Sequence, residues 1–209
     1  MIEQLLPLSK KKMDILRHLY ETQPTHLRKI SAELSIHPYL VKKYIDALSL
    51  KQIVAQQQAG KTILLTMNTL LDGIESILAV IEDYKQKTEN KTLKNIIKGL
   101  QQQFGKNNQI LVCVVFGSYA RGAATKQSDV DVLFVVKTKD IETALVKKIS
   151  QLSTLMDLKF SPIIMTEDEF KTTLETKEPT IITLLKPSQR IIVFGIEYFV
   201  RNVIVGSNS

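Results

Sequence analysis

A single cysteine among 209 residues excludes an internal disulfide and suits a reducing compartment. The three histidines, His18, His26 and His37, have no cysteine companion and no zinc-ligand spacing, so they read as surface or turn residues. No apolar run approaches the ~20 residues that a membrane helix needs. The longest, Ile110–Phe116 and Val130–Val136, have the length of buried strands, and Cys113 inside the first of them reads as core packing. The N-terminus carries Glu3 and the run Lys10–Lys12 and lacks the basic-then-apolar order of a signal peptide, so a cytoplasmic location is the expectation. No internal repeat is present. The closing residues Gly206–Ser209 are small and polar and are expected to fray.

What the sequence does have is positive charge, unevenly spread. The net charge is +7, of which residues 1–66 carry +5, residues 67–105 none and residues 106–209 +2. A small basic segment suits contact with phosphates, and it equally suits an ordinary solvated surface.

That basic segment has helical periodicity. Residues 10–22 predict a helix capped by Ser9, with Ile15, Leu16, Leu19 and Tyr20 on one face. Thr25 can cap a second helix running to Leu34, and Ser35–Pro38 breaks it. A third helix over 39–50 turns Leu40, Val41, Tyr44, Ile45 and Leu48 inward and presents Tyr39, Lys42, Lys43 and Asp46 on the other face. Two short apolar runs, Ile53–Ala55 and Thr62–Thr66, flank Ala59-Gly60-Lys61 and predict a β-hairpin. Three helices followed by a hairpin resemble the winged helix-turn-helix family over residues 8–66. The resemblance implies a recognition helix at 39–50 and DNA contacts from Tyr39, Lys42, Lys43 and, on the wing, Lys61. Such modules also serve as protein-contact domains, and that alternative stays open.

Residues 67–86 predict a further helix, with Met67, Leu70, Ile74, Ile77, Ile81 and Tyr84 in steps of three and four. This seam can pair two copies into a homodimer, or pack on the chain's own catalytic domain. Lys85–Lys91 reads as a charged break before another helix ending near Gln103, and Gly105–Asn108 reads as a turn.

The chemistry is concentrated in 110–136. The strand Ile110–Phe116 ends at Gly117-Ser118. A short helix starts in Tyr119–Ala124, and Asp129 and Asp131 follow on the next strand. Residues two apart on a strand share a face, so the two carboxylates project together and Val130 and Val132 point the other way. Paired carboxylates repel, and a hard divalent cation, Mg2+ or Mn2+, relieves the repulsion and gains oxygen ligands. Gly117 allows a phosphate close to the backbone, Ser118 and Ser128 offer hydroxyls, and Arg121 adds positive charge. The combination suits a metal-bound nucleoside triphosphate, such as ATP, as substrate. Bridged in this way, the triphosphate is poised for in-line attack at its α-phosphorus and transfer of a nucleoside monophosphate.

The run Gly117-Ser118-Tyr119-Ala120-Arg121-Gly122 followed by Ser128-Asp129-Val130-Asp131, with ten residues between Ser118 and Asp129, resembles the minimal members of the DNA polymerase β-like nucleotidyltransferase superfamily, over about residues 95–200. The resemblance implies a small mixed sheet, metal ligands at Asp129 and Asp131, and a third carboxylate on a later strand. The strand at Lys159–Thr166 is the candidate. Asp157 precedes it as the candidate third ligand, and Ser161-Pro162 occupy the place where the acid belongs. Glu167–Glu169 read as the start of a helix, and Arg190–Gly195 as a final strand before a helix including Glu197–Arg201.

The expected architecture is therefore α+β or α/β in three parts: a winged helix-turn-helix at 1–66, a helical linker at 67–105 and a nucleotidyltransferase fold with a small mixed sheet at 106–205. Two functions fit it. One is an enzyme that transfers a nucleoside monophosphate to an unknown acceptor, with a protein hydroxyl or a small molecule implied by the resemblance. The other is a DNA-binding regulator whose nucleotidyltransferase-like domain senses nucleotide or is inactive.

Overall fold

A computed structural model describes residues 9–206. Glu3 and the rest of residues 1–8, and residues 207–209 of the frayed tail, lie outside the described residues. The described chain forms two compact units: residues 9–81 with Val205 and Gly206, and Glu82–Ile204. The boundary falls inside a helix, so the stretch 67–105 is shared between the units.

In the first unit, helices α1 (Lys10–Thr22), α2 (Leu27–Leu34) and α3 (Pro38–Leu50) are followed by a hairpin of β1 (Val54–Ala59) and β2 (Thr62–Met67). The strands are antiparallel with Ala59 opposite Thr62, and Gly60 takes φ +58 in the turn, where a side chain would be strained. Leu16, Leu19, Ile30, Val41, Ile45 and Leu48 are buried, as the helical periodicity requires.

Several local expectations need correction. Thr25 does not cap α2: it bridges to Leu65, with hydrogen bonds of 3.1 and 2.8 Å. The cap is His26, whose Nδ1 accepts from the Lys29 amide at 3.2 Å. His37 caps α3 in the same way, ahead of Pro38 at the first helical position. His18 is buried, because it points from α1 toward α2 and lies 2.6 Å from Glu33 Oε2. Ser9 precedes α1 without a side-chain capping bond. Leu40 sits at the margin of the Val41–Tyr44–Ile45–Leu48 stripe and is exposed.

The helix placed at 67–86 begins later. Met67 closes β2, Leu70 is exposed in a turn where its amide donates to Asn68 Oδ1, and α4 runs from Ile74 to Thr88. Strand pairing claims Met67, so the three-four spacing across 67–74 is coincidental. Ile74, Ile77, Leu78 and Ile81 are buried. The break read at Lys85–Lys91 narrows to Glu89 and Asn90: α4 runs on to Thr88 with Lys85 buried in it, and the next helix starts at Lys91.

The second unit holds α5 (Lys91–Phe104), β3 (Ile110–Phe116), α6 (Gly117–Ala120), β4 (Val130–Val136), α7 (Glu142–Met156), β5 (Phe160–Thr166), α8 (Glu167–Glu175), α9 (Pro179–Leu185), β6 (Arg190–Phe194) and α10 (Ile196–Phe199). The sheet order is β5-β4-β3-β6. β3 is antiparallel to both neighbours, and β4 runs parallel to β5, so the sheet is mixed. Helices cover both faces, which is why β3 and β4 are continuous apolar runs rather than alternating ones. Val130, Val132, Phe134 and Val136 pack with Leu93, Leu100, Phe104, Leu145 and Ile149 of α5 and α7. Leu133 and Val135 face the opposite way, with Phe170, Leu184 and Phe199. Each such side chain removed from water contributes about 1.5–3 kcal/mol, and this alternation fixes β4 against a one-residue slip. The register matters because Asp131 rides on this strand and Asp129 stands just before it.

Candidate active site

The site begins where β3 runs out of apolar residues. Phe116 pairs with Asp131 across the β3–β4 ladder, so the first residue beyond the strand lies beside that acid. Gly117 then turns the chain with φ +70. A Cβ at this position would collide with Asp131 Oδ2 and lie 3.0 Å from Cγ. Glycine is therefore required twice, for the left-handed backbone and for the space that the carboxylate fills. The four-residue helix α6 follows, with Ser118 half-buried and Arg121 exposed at its C-terminal cap.

Asp131 is the second residue of β4, and Asp129 stands one residue before the strand. Val130 and Val132 between and after them are buried on the α5/α7 side, so the acids belong to the other side of the strand. Burial raises the carboxyl of Asp131 above its ordinary value, and the neighbouring Asp129 charge raises it further, while Arg121 pulls it down. The three charged groups thus share one field, consistent with the sequence grouping. Ser128 has a different occupation. Its Oγ accepts from the Thr125 amide at 2.9 Å and lies 3.2 Å from Thr125 Oγ1, closing the turn that leads into β4.

The neighbouring strand supplies the residue that sequence reasoning missed. β5 pairs with β4 in parallel register, Val130 with Phe160 and Asp131 with Ser161. Lys159 therefore lies across from Asp129, and its Nζ reaches Asp129 Oδ2 at 2.7 Å. The Val130 amide also donates to the Lys159 carbonyl, at 2.7 Å, which locks this register. Position 161, beside Asp131, is an exposed serine. Asp157 does not complete the pair. It caps α7 in the left-handed region (φ 52), because the helix must turn there to enter β5. Among the described residues, no three His, Cys, Asp or Glu side chains gather as a metal cluster.

Two hard carboxylates on one side of a strand, with mutual repulsion already felt at Asp131, still suit Mg2+, which takes one or two protein carboxylates and completes its shell with water and substrate phosphates. The ammonium of Lys159 on Asp129 shows the same demand for positive charge. Cys113 is buried in β3, and burial pushes its thiol well above the ordinary value, so it is packing rather than a nucleophile.

Residues 93–195 match the family model of the nucleotidyltransferase domain. The match starts on α5 and ends just after β6, taking in the whole four-stranded sheet, the Gly117-Ser118 bend and both acids. It supports nucleotidyl transfer as the general chemistry of the nucleotidyltransferase domain, and the small mixed sheet fits that fold. No curated protein matches the chain. No helix among the described residues is long and apolar enough to cross a membrane.

Proposed function

We propose that the chain is a metal-dependent nucleotidyltransferase that moves a nucleoside monophosphate from a nucleoside triphosphate to an acceptor hydroxyl. The observation that carries this reading is the contact between Gly117 and Asp131: a bend without a side chain set against a carboxylate that resists ionisation. Asp129 and Asp131 would hold Mg2+ or Mn2+. Gly117 lets a phosphate approach the main chain, and the Ser118 hydroxyl donates to it. Arg121, exposed beside the bend, offsets phosphate charge. The metal supplies neutralisation of the charge that builds on the leaving pyrophosphate. The Lys159 ammonium, which lies on Asp129, is the cation that such a metal would replace there. Ser128 orders the approach to β4, its Oγ accepting from the Thr125 amide.

Labelled triphosphate, Mg2+ and cell extract test the reading. Label should appear on an acceptor with the wild-type protein and vanish with Asp129→Asn. Transfer that survives in Asp129→Asn defeats it.

A second reading is favoured by Ser161, which leaves position 161 without the acid that would help activate an acceptor. In this reading the domain holds nucleotide without efficient transfer and the first unit acts as a winged helix-turn-helix. Tyr39 (65% exposed), Lys42 and Lys43 on α3 and Lys61 at the hairpin turn would face DNA phosphates. Absence of transfer together with salt-sensitive DNA binding favours this regulator.

A further inference from the structure

Three ionisable side chains are buried together away from the acid pair: Glu82 and Lys85 on the C-terminal half of α4, and Arg190 at the start of β6. Lys85 Nζ lies 3.0 Å from Glu82 Oε2, and Arg190 Nη2 lies 2.8 Å from Glu82 Oε1. One carboxylate is thus shared by two cations in the interior. Removing such charges from water costs several kcal/mol per ion, and apolar replacements of similar volume are often as stable or more so. Stability alone is a poor reason for this cluster.

What polar heads can do and apolar ones cannot is hold backbone carbonyls. Arg190 Nη1 donates to Leu184 O and Leu185 O, both at 2.7 Å. Lys85 Nζ donates to Pro187 O at 2.6 Å and Arg190 O at 3.1 Å. All four acceptors lie in residues 184–190, where α9 ends and a 3-10 turn, Pro187–Gln189, leads into β6. Helix-end carbonyls need such partners. That turn lies alongside the α6 helix that carries Ser118. The backbone of Arg190 is also the register partner of Phe116, the residue just before Gly117.

We propose that the buried Glu82–Lys85–Arg190 cluster is a positioning device for the Gly117-Ser118 bend, acting through the 184–190 segment against which the bend is set. Its role in nucleotide binding rests on the function proposed above. Glu82 and Lys85 lie before the segment that matches the nucleotidyltransferase family model, so the helix leading into that domain would be part of its working machinery.

The test is Lys85→Met, which keeps length and removes the charged head. Amide exchange followed by mass spectrometry should accelerate in 184–190 and also in 117–121. Affinity for a fluorescent ATP analogue with Mg2+ should fall about tenfold, within what a sub-ångström shift of a binding group costs. Ile45→Ala, in the core of the first unit, serves as a control of similar thermal destabilisation and should leave both affinity and exchange at 117–121 unchanged. Glu82→Gln, which retains hydrogen-bonding oxygen, is the milder variant should Lys85→Met not fold, and it should show the same pattern at smaller amplitude. Wild-type exchange at 117–121 in a folded Lys85→Met or Glu82→Gln overturns the positioning role. If the wild-type protein itself binds no nucleotide, the proposed function fails, and the exchange measurement still decides the positioning role.

Discussion

Lys159 and Asp129 face each other across the parallel β4–β5 edge, with the ammonium nitrogen 2.7 Å from the carboxylate. The lysine is 77% exposed and the aspartate 33%, so the pair adds little to stability, about 0–1 kcal/mol at most. Its effect is on competition for the carboxylate. Lys159→Met should leave the melting temperature nearly unchanged and strengthen Mn2+ binding in the absence of nucleotide severalfold, read by electron paramagnetic resonance of free Mn2+. Unaltered Mn2+ affinity would mean that the lysine does not guard this acid.

Asp131 gives a pH prediction. Its folded value is raised above the ordinary 3.8, first by burial and then by Asp129. A carboxyl raised by folding contributes stability that is complete below its unfolded value and is lost as pH rises through the folded one. At neutral pH the charged Asp131 therefore opposes folding. Asp131→Asn should melt higher than wild type at pH 7, with the difference shrinking toward pH 3, and should lose metal-dependent nucleotide binding. A variant that melts lower at pH 7 contradicts the electrostatic account.

Gly117→Ala tests the bend directly. The left-handed backbone costs a non-glycine residue about 1–2 kcal/mol, and the new methyl group must displace Asp131. The variant should unfold at lower denaturant concentration by roughly that amount. Its nucleotide affinity should fall together with its metal affinity, since one methyl group disturbs both. Loss of stability with both affinities intact would separate the bend from the site.

The acid pair, the bend and the strand pattern were legible because each rests on short-range rules: alternation along a strand, and glycine where a turn meets a neighbour. Lys159 was not, because its place depends on which strands pair and in what register, and the register appears only once Val130 is opposite Phe160. Lys85 was misread for a related reason. A lysine between polar residues reads as solvated, and only residues a hundred positions away, at Pro187 and Arg190, supply the carbonyls that bury it. The seam at 67–86 failed at its start because Met67 had a β-partner in Val54, which helical spacing cannot reveal.

The first unit makes an independent prediction. Lys42 and Lys43 are exposed on α3, and Lys42 pairs with Asp46, in an i,i+4 pair that solvent weakens. If α3 meets DNA phosphates, Lys42→Ala and Lys43→Ala should each weaken binding across sequences and reduce the magnitude of the salt slope by about 1. Folding should be unaffected, since both side chains lie outside the core. Salt slopes equal to wild type in both variants would direct attention to protein contact instead.

Ser161 provides the last test, because the β4–β5 register places it beside Asp131 with its side chain exposed. Ser161→Asp adds a third carboxylate to two that already repel. Without metal the variant should melt lower than wild type at pH 7, since burial and the Asp129 charge already hold the Asp131 carboxyl above its ordinary value and a further carboxylate adds to that repulsion. With saturating Mn2+ the loss should be recovered and exceeded, because ligand binding stabilises the folded state by RT ln(1 + [L]/Kd), about 2.7 kcal/mol at a hundredfold excess over Kd. A Mn2+-dependent rise in melting temperature larger in Ser161→Asp than in wild type places the metal between β4 and β5. Equal rises in the two proteins would put the cation elsewhere and remove the basis for assigning it to Asp129 and Asp131.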